Sequence, residues 1–501
     1  MGMRARDTDM ADGLRNDRRD GLQPATVAVL DVGKTNVKLN AVTASGTILE
    51  TLSIPNPVLP DGPWRHHDLD ALGDWVFDNL AGLAKRHPLT TFVSSGHGSG
   101  GVLVGPDPDA GDGTALPMID YEQPLPDDIR MRYSALSGSF FDKGSAMMHG
   151  ATHHARQMFW MQQAEPQGFS RARWFLGVPQ YWAWRLSGVA VSEATVLGAQ
   201  SHLWNVVERR WSPIVHSQRW RDLLPPFAKA WATVGTIRPV LSDRYGLPAG
   251  IKVLAGIHDS SANFYRYQAA GFDEATVVST GTWIVALSGK TPLDRLNEHR
   301  GMTCNSDVNG NPIGGILTMG GREFTHVAGD DDHLNADAAL VSRMITQGTM
   351  ALPSFGDDDG LFPGRAGEGH IAGPPPADAA GRKALAVLYT ALLTVECLDA
   401  LGSGGRVILD GSFLRDPLYA GLVAALRPQG DTVSNLDTYG VASGTALLAS
   451  HGTRSARAAI ALEKPPVFQH PSADLAAYTR HWRDKASQAT YFSTIYERSS
   501  Q

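Results

Sequence analysis

Two cysteines in 501 residues, Cys304 and Cys397, are too few for a disulfide framework or a four-thiolate metal site, and a reduced, cytoplasmic chain is the expectation. Positive charge is also short. Lysine and arginine number 44 against 51 aspartates and glutamates, a formal net charge of −7. That balance argues against broad electrostatic binding to nucleic acid or to an anionic membrane. Long apolar runs are missing as well. The longest, residues 384–398, is interrupted by Tyr389, Thr390, Thr394 and Glu396 and falls short of the roughly 20 residues a membrane span needs. A buried helix of a soluble protein is expected there. Residues 1–24 mix Arg and Asp without an apolar block, so they carry no secretory signal, and Arg6 stands where myristoylation requires Ser or Thr. They read as a disordered tail.

What is present is an ordinary globular balance, 43% hydrophobic and 19% charged, in a chain too long for one core. TVAVLD reads as a buried strand, VKLNAV as a second and TILETLSI as a third, a strand–tight turn–strand opening. Residues 72–84 have helical spacing, and TTFVSS returns as a strand. Two aromatic-rich segments, 157–162 and 179–186, read as helices; the YWAWR run in the second has the spacing of core packing. Past the middle, VLAGIHD is a strand ending in a polar knot, and ATVVSTGTWIVAL is another strand–Gly–strand unit. The turns DVGKTNVKL and STGTWIVAL resemble each other, which suggests two related domains joined near Gly250: residues 25–250 and 251–455, with a helical segment over 456–501. Residues 348–381, rich in Gly, Pro and Asp, read as a long surface loop. RVILD, GSFLRD and PLYAGLVAAL follow as strand, turn and helix with Pro in the first turn. Alternating strands and helices imply α/β layers.

Two familiar motifs fail on context. Gly33-Lys34-Thr35 ends like a phosphate-binding P-loop, but Ala28 occupies the opening glycine position and a strand follows where a helix is required. Residues 96–101, GHGSGG, match the GxGxxG dinucleotide fingerprint, yet a short strand and turn follow in place of the helix that holds a pyrophosphate. What remains is a pair of Gly/Thr turns at strand ends, whose N–H groups and hydroxyls suit an anion, with carboxylates at the ends of other strands.

These features resemble the FGGY carbohydrate kinases of the actin-like ATPase superfamily. DVGKTNVK matches the family's first phosphate loop, with Lys34 where many members have Thr. Gly256-Ile257-His258-Asp259 matches the Gly-x-x-Asp segment, and residues 279–283, STGTW, match the second phosphate loop. LDGSFLRDPLYAGLVAAL matches the adenosine-binding strand–turn–helix less well, because Asp410-Gly411-Ser412 departs from a Gly-Gly-rich turn. YGVASGTALLA looks like the late small-residue helix. The resemblance implies two actin-like (ribonuclease H-like) α/β domains with a cleft between them, and ATP and Mg²⁺ held in that cleft. Asp259 is implied as the catalytic carboxylate. Gly33, Thr35, Asn36, Lys38, Thr280, Gly281, Thr282, Gly411 and Ser412 are implied as ATP or phosphate contacts, and Asp31 as the Mg²⁺ residue, through water. For the sugar, the expected contacts are His97, whose two ring nitrogens can bond hydroxyls, with Asp120, Glu122, His258 and Asp259. Glu193 reads as a helix cap and Trp283 as core.

Within the family, the His-Asp-Ser and Ser-Thr-Gly-Thr-Trp strings resemble the deoxyketohexose kinases. The implied reaction is phosphorylation of a ketose hydroxyl, on a deoxyketohexose such as L-fuculose or L-rhamnulose. A pentulose of xylulose or ribulose type, or a polyol, is the alternative, and an actin-like ATPase acting in assembly is the more distant one. The implied partners are a small sugar and ATP, without nucleic acid or membrane; a homodimer is left open.

Overall fold

A computed structural model describes residues 25–329, 335–356, 360–437, 439–454 and 457–498. The expected disordered tail, 1–24, lies outside the described residues.

The first sheet opens with a meander of β1 (Thr26–Val32), β2 (Asn36–Thr43) and β3 (Ile48–Pro55). Helix α1 (Leu69–Arg86), capped by the Asp68 side chain, crosses over to β4 (Leu89–Gly96), which lies parallel to β1. Sandwiched between neighbours and covered on both faces, Val27, Ala28, Val29 and Leu30 are all buried, so β1 is a continuous apolar run and not an alternating one. A hairpin of β5 (Gly101–Val104) and β6 (Trp174–Gly177) stands beside this sheet. The aromatic helix α2 (Val178–Ser187) buries Tyr181, Trp182 and Trp184 in the first core, as its spacing predicts. β7 (Thr233–Thr236), β8 (Lys252–Leu254) and β9 (Ile257–His258) complete the order β7-β8-β4-β1-β2-β3, with β9 also against β4. The first sheet therefore continues past Gly250, where the sequence reading had ended its domain. The pairing of Lys252 and Val253 with Thr91 and Phe92 is what carries it across.

The second sheet has β10 (Thr276–Thr280), β11 (Ile284–Ser288), β12 (Met302–Ser306), β13 (Pro312–Thr318), β14 (Arg406–Gly411) and β15 (Asp431–Ser434), in the order β12-β13-β11-β10-β14-β15. In both sheets a strand pairs antiparallel with its successor and parallel with the strand that follows a helical crossover. The two lobes share this hairpin-and-crossover core, which gives the resemblance of the two Gly/Thr turns its structural basis.

Helix α3 (Asp259–Ala269) lies between the sheets. Its Ala262 and Tyr265 pack with Val27, Val29 and Val93 of the first sheet, and its Phe264 and Tyr267 with Val277, Leu287 and Ile408 of the second. α4 (Gly320–Ala328) and the 23-residue α5 (Ala379–Leu401) cover the second sheet. α5 is long and apolar enough to cross a membrane by length and composition, but 89% of its apolar window is buried inside the protein. α6 (Pro417–Leu426), α7 (Gly440–Ala446) and α8 (Ser472–Arg498) follow. Leu475, Tyr478 and Trp482 of α8 are buried in the second core. The stretch expected as a long surface loop instead contributes Met350, Ala351, Leu352 and Leu361 to that core. It is anchored by Tyr478 Oη donating to Thr349 O (2.7 Å) and Trp482 Nε1 donating to Ala351 O (2.7 Å).

Candidate active site

Three parallel strands end at one edge of the first sheet, and registers β1/β4 and β4/β9 bring Asp31, Ser95 and Ile257 into one row. The chain leaves that row through Asp31, through the loop at His97, and through His258-Asp259 into α3. Loops beyond the carboxyl ends of parallel strands are where α/β sheets gather ligand groups.

Asp259 is the first residue of α3, where the helix dipole favours a negative charge. Burial works against that charge, but His258, whose Nε2 lies 3.1 Å from Oδ1, outweighs it and holds the carboxyl below its ordinary range. Asp259 is thus ionised and able to accept a proton. Asp31 shows the opposite balance: burial, then the charge of Asp259, push it to about 6, against Lys38 opposite it in the β1/β2 pair and the hydroxyl of Ser95 (3.1 Å).

A cavity of about 100 Å³ lies at Asp259, lined by His97, Tyr121, Gln200, His258 and Trp283 among others. His97 is buried, and neither of its ring nitrogens has a partner among the described residues. Burial, reinforced by His67, lowers it to about 3, so it is a neutral ring with one donor and one acceptor free. An orphaned pair of this kind is costly unless a ligand completes it.

A second cavity, about 790 Å³, opens in the second lobe. Gly281, Thr282, Ser412, Arg322, Lys383 and Asp416 are among its walls. The β10–β11 turn thus borders both cavities, with Gly281 and Thr282 on the large one and Trp283 on the small one. Trp283, expected in the core, stands here because its ring stacks on His149 of the first lobe (5.8 Å between centroids, 28° between planes).

Other expected residues sit differently. Asp120 does not line the small cavity; its oxygens are taken by Lys34 (2.7 Å) and Arg65 (2.9 Å). Lys34, in the position where the family often has Thr, therefore reaches Asp120. Glu122 faces Arg322 of α4 across the lobes (3.4 Å). His258 lines the cavity, but Nδ1 bonds Ser261 (3.0 Å) and Nε2 meets Asp259, so its ring positions the carboxylate. Thr280 is buried and donates to Asp410 O (2.8 Å), bracing β10 on β14 and not facing the large cavity. Gly411, at φ +100°, lies so close to Thr280 that a Cβ would stand 2.1 Å from its carbonyl oxygen. Gly33 and Thr35 form the β1–β2 turn, held by Asn56, which donates to Gly33 O (2.9 Å) and Thr35 O (2.7 Å). Thr35, Asn36 and Lys38 are exposed at the same sheet edge. Glu193 is a cap, accepting from Thr195 and Val196, and Thr195 Oγ1 in turn accepts from the His258 amide (3.0 Å).

The sequence reading missed Gln200 at the small cavity, His149 behind Trp283, and Arg322, Lys383 and Asp416 at the large one. Only Lys383 had a visible signal, as one of two adjacent cations, Arg382 and Lys383, heading an apolar helix; it is 5% exposed, over the ring of Phe324.

Two lobes sharing a hairpin-and-crossover core, each presenting a Gly/Thr turn to a site with a carboxylate between the sheets, define a two-domain actin-like fold. The description "FGGY family of carbohydrate kinases, N-terminal domain" matches residues 135–264, and "Carbohydrate kinase FGGY, C-terminal domain" matches 272–457. A carbohydrate kinase from Novosphingobium aromaticivorans is 32% identical, with a TM-score of 0.81 over 93% of this chain and 99% of that one. The chain belongs to the FGGY family of carbohydrate kinases. It is 26% identical to the L-fuculokinase of Escherichia coli (strain K12) over 305 residues, 57% of this chain and 61% of that protein's length. A xylulose kinase from Lactobacillus acidophilus, 15% identical over 92% of this chain and 96% of its own, shares the fold with a TM-score of 0.74.

Proposed function

We propose that this protein transfers the γ-phosphoryl group of ATP to a hydroxyl of a ketose, with a deoxyketohexose such as L-fuculose or L-rhamnulose as substrate. The observation that carries this reading is the β10–β11 turn, one residue on the small cavity beside Asp259 and its neighbours on the large cavity of the second lobe. The sugar hydroxyl gives its proton to Asp259 as its oxygen bonds the γ-phosphorus and the bond to the ADP oxygen breaks. His97 orients the sugar by bonding other hydroxyls. Gly281 and Thr282 steady the phosphates from the second lobe, and Gly33, Thr35, Asn36 and Lys38 approach them from the first. Ser412 and the wall around Asp416 hold the nucleoside.

The residues fit Mg²⁺. Asp31 is a half-buried carboxylate raised to about 6 beside a second carboxylate, a charge conflict that a cation relieves. Among the described residues no cluster of three metal-ligating side chains exists, so phosphate oxygens and water would complete the shell. When bound, the ion neutralises phosphate charge. Both thiols are free and buried, in keeping with a cytoplasmic enzyme.

The test is a coupled ADP-release screen over deoxyketohexoses, pentuloses and polyols, with Asp259→Asn alongside. One ketose should stand out, and the variant should lose about 10²- to 10⁴-fold in kcat while still binding ATP. Preference for a pentulose would move the substrate to the xylulose class; near-normal turnover by the variant would remove Asp259 from the chemistry.

A further inference from the structure

At the far end of α3 from Asp259, about 15 Å along an 11-residue helix, lie two further cavities that share a wall. One is about 720 Å³, bounded by the β2–β3 turn at residues 44–47 and by α7; the other is about 440 Å³, beside the end of α3. Neither shares a residue with the cavities of the candidate active site.

Arg266, Arg454 and Arg457 line the larger cavity, and the latter two also line the smaller. Arg266 is 5% exposed. Its Nη2 pairs with Asp437 (2.6 Å), while its Nη1 is buried with no partner among the described residues. Arg454 donates to Leu447 O (2.8 Å) and lies near Ser450 Oγ and Tyr265 Oη, with no carboxylate partner among the described residues. Arg457 packs over Gly271, where a Cβ would stand 2.7 Å from its guanidinium, and forms no ion pair among the described residues. Asp437 on the larger cavity and Asp273 on the smaller are the acids present. Hydroxyls of Ser45, Ser443, Ser450 and Thr453 stand around the larger cavity.

Three guanidinium groups against one neighbouring carboxylate, one of them with an unmet buried donor, form a receptor for a tetrahedral oxyanion. Arginine's planar fork suits phosphate oxygens, and the ring of hydroxyls suits a polyhydroxylated remainder. We propose that this cavity is a second ligand site, separate from the catalytic cleft, that takes a phosphate-bearing small molecule. The site stands at the opposite end of α3 from Asp259.

The test is ligand-dependent thermal melting of the full chain, with a non-hydrolysable ATP analogue present at saturation to fill the nucleotide cavity. Inorganic phosphate and fructose 1-phosphate are titrated, with KCl at equal ionic strength as reference. The expected result is a saturable rise beyond the KCl effect, with half-saturation shifted by about tenfold or more in Arg454→Gln and in Arg457→Gln. The Arg457 side chain makes no hydrogen bond among the described residues, so Arg457→Gln reports even where Arg454→Gln fails to fold. Half-saturation at far lower concentration by the sugar phosphate assigns a phosphorylated sugar as occupant; equal half-saturation assigns free phosphate. A rise no greater than with KCl, or one unchanged in Arg457→Gln, overturns the proposal.

Discussion

His97 concentrates the specificity question in one side chain. Glycines flank it because nothing larger fits: a Cβ at Gly98 would stand 2.7 Å from Ala199 Cβ, and one at Gly100 2.4 Å from Val178 Cγ2. The imidazole, with Ser99 of the same loop also on the cavity wall, is therefore what this loop offers to a ligand in a closed space. His97→Ala should cut kcat/KM for the preferred ketose by about ten- to two-hundredfold, the cost of roughly 1–3 kcal/mol for unpaired hydroxyls. Slow ATP hydrolysis without sugar should stay unchanged, and an analogue lacking the contacted hydroxyl should lose much less. Initial rates with both sugars and with none decide it, and an equal loss in all three would make His97 a loop brace. That His97 and Asp259 share one cavity wall was legible because motif and chemistry pointed to the same residues. The ion pairs of Asp120 and Glu122 were not legible, because local sequence cannot show that Lys34, Arg65 and Arg322 come from distant segments to meet them. Trp283 was misread for a related reason, since an aromatic after a turn looks like core until a partner such as His149 draws it to the cavity wall.

Among the elements, the strands of both lobes were readable from apolar runs and turn residues, while the position of α3 was not. A helix buried on two opposite faces has no single apolar stripe, and its two partners are strands far apart in sequence. The crossing of α3 with α7 depends on small residues. A Cβ at Gly444 would stand 2.0 Å from Ala262 O, and one at Gly440 2.3 Å from Asn263 Oδ1. The first obstacle is backbone and cannot rotate away. Gly444→Val should destabilise by about 1–3 kcal/mol or more through overpacking, despite the gain in helix propensity. Denaturant unfolding should show a lower midpoint, and an unchanged midpoint would mean that the crossing opens freely. The segment after residue 348 was misread because Gly, Pro and Asp dominate its composition, whereas its few apolar residues are the ones α8 holds down.

Among the described residues of the whole molecule, burial lowers six histidines: His67 and His154 to about 4, His97 to about 3, His153 and His202 well below the ordinary 6.5, and His451 below it. The unfolded chain protonates each near 6.5, so between 6.5 and about 4 it binds more protons than the folded protein, and stability falls as pH falls, by up to about 1.4 kcal/mol per unit per histidine. The carboxyls pull both ways. Burial raises Asp31 to about 6 and Glu193 to about 7, which favours the fold at lower pH, whereas hydrogen bonds from Arg86 and His87 lower Glu50 to about 2. The histidines set the sign. Thermal melting should show a flat plateau above pH 7 and a steady drop from 6.5 to 5; a rise over that interval would mean that these rings are charged in the fold. The continuation of the first sheet past Gly250, and the sharing of α3 by both sheets, bear on how the chain can be divided. Gly250 lies in an exposed turn and looks like a natural place to cut. A fragment ending there would lack β8, β9 and one cover of its own sheet, and the remainder would carry α3 with Ala262 and Tyr265 bared to water. Expressed singly, each piece should be insoluble. Expressed together they should reassemble, and kinase activity should then report the meeting of two halves neither of which owns Asp259's surroundings.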